Sequence, residues 1–226
     1  LFAAGRFQEA GIPAQAFLAS EYATGTPPIG DALVVGVTQS GETADTLSAL
    51  REARRRGART LAVTNVVGST VSRECDHVLY IRAGPEIGVA ASKTFSSQLA
   101  ALNLLSLATA GADDARDVVA ALRDLPGDIQ ALLDESGAKA VATEYAESDA
   151  YFFIGRGYHY PVALEGALKL KEISYKHAEG FAAGELKHGT LALVTEDTPV
   201  FAVVTGDEGP AQKTLGNVKE VEARDA

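Results

Sequence analysis

The sequence predicts an α/β protein of two units, each a parallel sheet covered by helices on both faces. Three observations predict it. Short apolar runs of strand character alternate with longer helical stretches, as parallel strands joined by crossover helices require. The alternation lapses into an acidic, alanine-rich stretch and restarts near residue 148, which implies two units, 1–125 and 126–226. Of the 226 residues, 46% are hydrophobic, enough to fill one large or two small cores.

The chain opens within what reads as a helix and contains no methionine, so a fragment of a longer protein is expected. "ALVVGV" (32–37), "TLAVTN" (60–65) and "HVLYI" (77–81) read as strands. Between the first two lies "ETADTLSALREARRRG", a helix with a basic last turn. Its cluster of Arg51, Arg54, Arg55, Arg56 and Arg59 reads either as a nucleic-acid patch or, better, as cations facing the carboxyl end of the helix dipole and solvent. A long helix is expected over about 90–110, and connecting helices over "GADDARDVVAALRDLPGDIQALLDESG". The second unit then offers "YFFIG" (151–155) as a strand, "PVALEGALKLKEISYKHA" as a helix and "PVFAVV" (199–204) as a strand.

Charge and cysteine content narrow the function. Thirty acidic against 20 basic residues give a net charge of −10, which argues against a nucleic-acid partner, whose phosphates need a basic surface. A local pocket can still hold a small anion. Acid excess with 8 Lys against 12 Arg suits either a salt-rich cytoplasm or an ordinary mildly acidic protein. The single Cys75 permits no internal disulfide and reads as a half-buried spectator before a strand. The longest apolar stretch, 99–110, contains Asn103 and Ser106 and is too short to span a membrane. No signal peptide is visible, and a cytoplasmic location is expected.

Ligands of open parallel sheets bind at the carboxyl ends of the strands. At the first such end, "TQSGET" places Thr38, Gln39, Ser40 and Thr43 before a helix. Unpaired N–H groups and the positive end of the dipole can hold phosphate there without a lysine. Gly41 lets the backbone approach, and the hydroxyls and amide can donate hydrogen bonds. The alternative is an ordinary helix cap on Ser40. Glu42 opposes phosphate unless it points away. A second turn, "AGPEIGVAASKTFSSQ", holds Gly84 and Gly88 and leads into a helix start with Ser92, Lys93 and Thr94, so two polar helix starts could converge on one ligand. Lys93 reads equally as a surface lysine. No P-loop spacing occurs, and "GRGYHY" lacks the third glycine of a dinucleotide fingerprint, having Tyr160 there.

In the second unit, Glu165, Lys169 and Glu172 are spaced i, i+4, i+7 and share one helix face. With Val162, Leu168 and Ile173 apolar beside them, that face is expected to be half-buried. A carboxylate there could keep a raised pKa and move protons. A solvated helix ion pair is the competing reading. "GELKHG" adds Glu185, Lys187 and His188 on a loop at a helix end, with His177 and Glu179 completing a cluster. No metal-ligand spacing is present.

Taken in order and spacing, "TQSGET", "EIGVAASK", "GRGYHYPVALEGALKLKEISYKHAE" and "AAGELKHG" resemble the isomerase half of the glucosamine-6-phosphate synthases, which consists of two sugar-isomerase (SIS) domains. The resemblance covers nearly the whole chain and is densest over 34–99 and 151–194. It implies conversion of fructose 6-phosphate and ammonia to glucosamine 6-phosphate, with no metal or organic cofactor. It implies a sugar phosphate held by Thr38, Gln39, Ser40 and Thr43, with backbone help from Val89. Glu172 would move the proton between C1 and C2, the catalytic Lys169 lying close to it, and Glu165 would help to bind the substrate. His188 would assist ring opening from the neighbouring subunit of a homodimer. The ammonia would come from an amino-terminal glutaminase domain outside this chain.

Some positions depart from that pattern. Thr38 stands for the usual serine and keeps the hydroxyl. Ala91 stands where a serine often contacts the sugar, and Thr190 replaces the usual proline after "KHG". The family's Gly-Thr-Ser turn and its carboxy-terminal lysine fall outside the chain, so an incomplete site is expected. Two other readings remain: a stand-alone amino-sugar-phosphate deaminase or isomerase, and a non-catalytic sugar-phosphate sensor.

Overall fold

A computed structural model describes residues 1–25, 29–110, 115–206 and 209–224. It divides into two compact units, Leu1–Arg123 and Asp124–Ala226.

The first unit opens with helices α1 (Phe2–Glu9) and α2 (Ala19–Gly25). It continues through β1 (Leu33–Val37), α3 (Ala44–Arg55), β2 (Arg59–Thr64), α4 (Thr70–Glu74), β3 (His77–Tyr80) and α5 (Lys93–Ala110). The strands form a parallel sheet in the order β1-β2-β3, Leu33 opposite Arg59 and Leu61 opposite His77. β2 is central and buried from Thr60 to Thr64, as a strand covered by neighbours must be. α3 buries Thr46, Ala49, Leu50 and Ala53, the i, i+3, i+4, i+7 stripe of an amphipathic helix. Leu50 fits over Gly36 of β1, where a Cβ would lie 2.5 Å from its Cδ1.

The sheet's hydrogen-bond ladder outlives its strands. Beyond β1, Thr38 N donates to Val63 O and Asn65 N donates to Gln39 O; beyond β3, Ile81 N donates to Thr64 O. The loops at the carboxyl edge are therefore rooted in the central strand.

The basic last turn of α3 is answered by acids. Arg51 lies 2.6 Å and Arg55 2.7 Å from Glu74 and Glu52, and Arg54 lies 3.8 Å from Asp76. These arginines are partnered within the fold. Cys75 is free and half-buried, and burial pushes its thiol pKa up.

Helix α6 (Ala115–Asp134) crosses the division between the units, and α7 (Ala138–Glu144) follows. Of the stretch expected to form connecting helices, Gly111–Asp114 lies outside the described residues. The remainder through Asp134 is one helix, with Pro126 inside it. The carbonyl that proline frees lies on an exposed helix where water can reach it.

The second unit contains β4 (Ala150–Gly155), α8 (His159–Ser174), β5 (His177–Ala182), β6 (Val200–Ala202) and α9 (Gly209–Glu222). Its parallel sheet has the order β5-β4-β6. Phe152 and Ile154 of β4 pack with Leu186, Val194 and Val221, and Tyr151 packs with Ala167 and Ala178.

Here the structure corrects the sequence reading. The helix expected through Ala178 ends at Ser174. Tyr175 takes a left-handed conformation (φ 59°) and stops it, and His177–Ala182 is a strand. That strand is made by packing: a Cβ on Gly180 would lie 2.7 Å from the Leu164 Cα, so only glycine lets β5 run under α8. α8 also begins two residues before Pro161, which falls in its first turn, where a missing N–H costs nothing. Among the described residues no helix is long and apolar enough to cross a membrane.

Candidate active site

The turn at the end of β1 is closed by its own hydroxyls. Gly41 N donates to Thr38 Oγ1 (3.2 Å), and Thr38 Oγ1 lies 3.1 Å from Thr43 Oγ1. Glu42 N donates to Ser40 Oγ (3.1 Å), so Ser40 closes a local turn and is not the helix cap. Thr43 is the N-cap of α3, and its side chain makes no capping bond. Gly41 has φ 70° and sits against Ser69 and Val71. Ser69 is 3% exposed, and its Oγ makes no hydrogen bond among the described residues.

Glu42 resolves the objection its charge raised. Thr70 N donates to Glu42 Oε1 at 2.7 Å, so the carboxylate is drawn to the start of α4. Hydrogen bonds from Thr70, backbone first, hold its pKa below the usual glutamate value. Gly41 O accepts from Val71 N, which fastens the turn to the same segment.

The second polar helix start is already occupied by the protein itself. Helix α5 begins at Lys93, three residues later than expected. Thr94 donates to Glu86 Oε2 through N (3.0 Å) and Oγ1 (2.8 Å). The Thr94 backbone bond, then its hydroxyl, lowers the Glu86 pKa. One helix start thus has no side-chain cap, and the other is held by a resident carboxylate. Lys93 is exposed. Val89, 90% exposed, lies in the loop before α5 with its backbone accessible.

In the second unit, α8 brings three predicted residues together. Lys169 Nζ donates to Glu172 Oε2 at 2.5 Å and lies 3.5 Å from Glu165 Oε1. All three are half-buried, whereas Val162, Leu168 and Ile173 beside them are exposed. The ammonium stands between the carboxylates. Desolvation is the largest single influence on Lys169 and opposes its charge. The hydrogen bond to Glu172 and the charges of Glu165 and Glu172 together outweigh it, and its pKa stands above the usual lysine value.

His188 is exposed, in a turn between 3₁₀ segments Ala183–Glu185 and Thr190–Leu193, its N donating to Glu185 O. Among the described residues no hydrogen bond or ion pair joins it to the α8 triad. His177 and Glu179 lie two apart on β5, paired with each other at 3.8 Å. No group of three or more His, Cys, Asp or Glu among the described residues is placed to hold a metal ion.

Two residues escaped the sequence reading. Glu86 gives itself away by preceding Thr94 at a helix start. Asn65, counted there as the end of a strand, bonds Ala83 N (2.8 Å) and Gly84 O (2.7 Å) through its side chain. An asparagine ending a buried strand was the available signal.

Comparison with known proteins bears on this geometry. The SIS-domain family profile matches residues 6–108 and 144–226. The chain is 57% identical over 226 residues to the glutamine–fructose-6-phosphate aminotransferase (isomerizing) of Halobacterium salinarum, an alignment covering 96% of this chain and 37% of that protein. It thus spans little more than a third of the curated relatives it matches. Among solved structures, it is similar to the C-terminal domain of the glucosamine–fructose-6-phosphate aminotransferase of Francisella tularensis. That match has 40% identity and a TM-score of 0.86, covering 99% of this chain and 66% of that one. It is also similar to a glucosamine-6-phosphate deaminase of Thermotoga maritima, with 26% identity and a TM-score of 0.80, covering 99% and 69%.

Proposed function

This chain belongs to the SIS-domain family, and we propose that it is the isomerase part of a glutamine–fructose-6-phosphate aminotransferase, built from two SIS domains. The observation that carries the reading is the turn at 38–43, where Glu42 is withdrawn to Thr70 while the hydroxyls stay grouped before α3. Such a helix start suits a phosphate monoester. The similarity to named aminotransferases along 96% of the chain supports the same reading.

In this reading Thr38, Gln39, Ser40 and Thr43 hold the phosphate of fructose 6-phosphate, and the backbone of Val89 steadies the sugar. His188, supplied by the neighbouring subunit of a homodimer, takes the proton of the anomeric hydroxyl and returns one to the ring oxygen, so the sugar opens. Ammonia from an amino-terminal glutaminase domain condenses with the C2 carbonyl, releasing water and leaving an imine. The Glu172 carboxylate then takes a proton from C1 and delivers it to C2. The C1 hydroxyl gives up its proton as the aldehyde forms while the C2 nitrogen takes one up to become the amine, and glucosamine 6-phosphate results. Abstraction beside an imine needs only a weak base in a partly desolvated place. Lys169 steadies that base, and Glu165, paired with Lys169, helps to bind the substrate. The setting is cytoplasmic.

The test is to express the complete reading frame, in low and high salt, with fructose 6-phosphate and either glutamine or ammonium, following products by proton NMR. Glucosamine 6-phosphate from glutamine is expected. Product from ammonium alone would favour a stand-alone deaminase running backwards, a reading that the likeness to the Thermotoga deaminase keeps open. Sugar-phosphate binding without product would favour a sensor and overturn the proposal.

A further inference from the structure

At the carboxyl end of β2, Asn65 spends three polar groups on two different loops. Its backbone N–H donates to Gln39 O (3.1 Å) in the turn at 38–43. Its Nδ2 donates to Gly84 O (2.7 Å), and its Oδ1 accepts from Ala83 N (2.8 Å). The chain leaving β3 needs this clasp. Arg82 (φ 52°) and Gly84 (φ 72°) are both left-handed, so the backbone turns off the ladder after Ile81. The primary amide replaces the ladder with one donor and one acceptor. At the far end of the same loop, Glu86 is fixed to Thr94. Residues 87–92, Val89 among them, are thereby suspended between two fixed points.

Resting on the function proposed above, we propose that Asn65 is a positioning residue. It holds the phosphate turn and the Val89 loop at the separation at which both touch one sugar phosphate. Its side chain faces protein groups, so it acts through the loops and not on the substrate. The amide is required chemically. An aspartate would still accept from Ala83 N but would set an oxygen against the Gly84 carbonyl, and an alanine would release both contacts.

The experiment measures KM and kcat for fructose 6-phosphate, and the inhibition constant of inorganic phosphate, in the complete protein carrying Asn65→Ala or Asn65→Asp. Inorganic phosphate needs the turn alone; the sugar phosphate needs both loops. Asn65→Ala is expected to raise KM about tenfold, the effect of losing a pair of ordinary hydrogen bonds. The phosphate constant should stay within about twofold. Asn65→Asp, which keeps the contact to Ala83 N but opposes the Gly84 carbonyl, should move KM the same way, and it decides the matter if the alanine variant fails to fold. An unchanged KM in both variants overturns the proposal. So does a phosphate constant rising in step with KM, which would make Asn65 a prop of the turn alone. Failure of the unsubstituted protein to bind or convert fructose 6-phosphate overturns the underlying reading instead, and shows before any variant is made.

Discussion

Replacing Gly41 by alanine strikes the turn at 38–43, proposed to hold phosphate, at its tightest point, and the structure sets the size of the effect. At φ 70°, a left-handed conformation, an L side chain costs about 1–2 kcal/mol. The new Cβ would lie 2.2 Å from Ser69 Oγ, 2.5 Å from Ser69 Cβ and 2.9 Å from Val71 Cγ1. Both neighbours are buried, so the turn must shift, at a further cost of about 1–3 kcal/mol. A loss of about 2–5 kcal/mol in unfolding free energy follows, read from urea denaturation monitored by circular dichroism. The double variant Gly41→Ala/Ser69→Gly separates the two contributions. Ser69 is the N-cap of α4 and its side chain makes no capping bond, so glycine there removes both contacts at little cost; part of the steric loss should return while the conformational loss stays. Calorimetric titration with fructose 6-phosphate should show weakened binding in the single variant. A loss below about 1 kcal/mol, or no recovery in the double variant, would refute the argument from close packing.

Glu172→Gln should lower turnover by at least about a hundredfold while calorimetry still shows sugar-phosphate binding; lost binding with turnover intact in the bound fraction would sink the assigned role. Gly180→Ala should lower the urea midpoint strongly, because the obstacle is the α8 backbone at 2.7 Å, with a loss at or above about 3 kcal/mol; an unchanged midpoint would mean that β5 does not run under α8. Acid should unfold the first unit partly through Glu42, Glu86 and Asp76, whose pKa values are lowered chiefly by hydrogen bonds from Thr70 N, Thr94 N and the Thr60 hydroxyl. Depressed carboxylates stabilise the fold above their ordinary values, near about 4, and that contribution is lost as pH falls through the lower folded values. Asp76→Asn should therefore flatten the acid limb of the stability profile, and an unaltered limb would contradict the assignment.

How much the sequence reveals depends on where the determining contacts lie. Strands β1 to β4 and β6 announce themselves as apolar runs, because a buried parallel strand needs apolar residues on both faces. β5 does not: "HAEGFA" carries a glutamate and a glycine, and its strand character comes from the helix resting on Gly180. The α8 triad is legible because i, i+4, i+7 spacing fixes a shared face within one element. The direction of Glu42 and the clasp of Asn65 are not, since their partners lie 28 and up to 19 residues away. The exposure of Val162, Leu168 and Ile173 was likewise hidden, because periodicity shows that residues share a face but not what covers it.

The continuation of the ladder past the ends of β1 and β3 bears on how such a scaffold can change. Length added at 38–39 or at 81–84 would break bonds to the central strand and disturb the sheet itself. Length added around Ile87–Val89, where both side chains are at least 90% exposed, would alter only the span between two anchored ends. Insertions confined to that span would change the loop's length and chemistry while the turn at 38–43 and the sheet that roots it stay as they are.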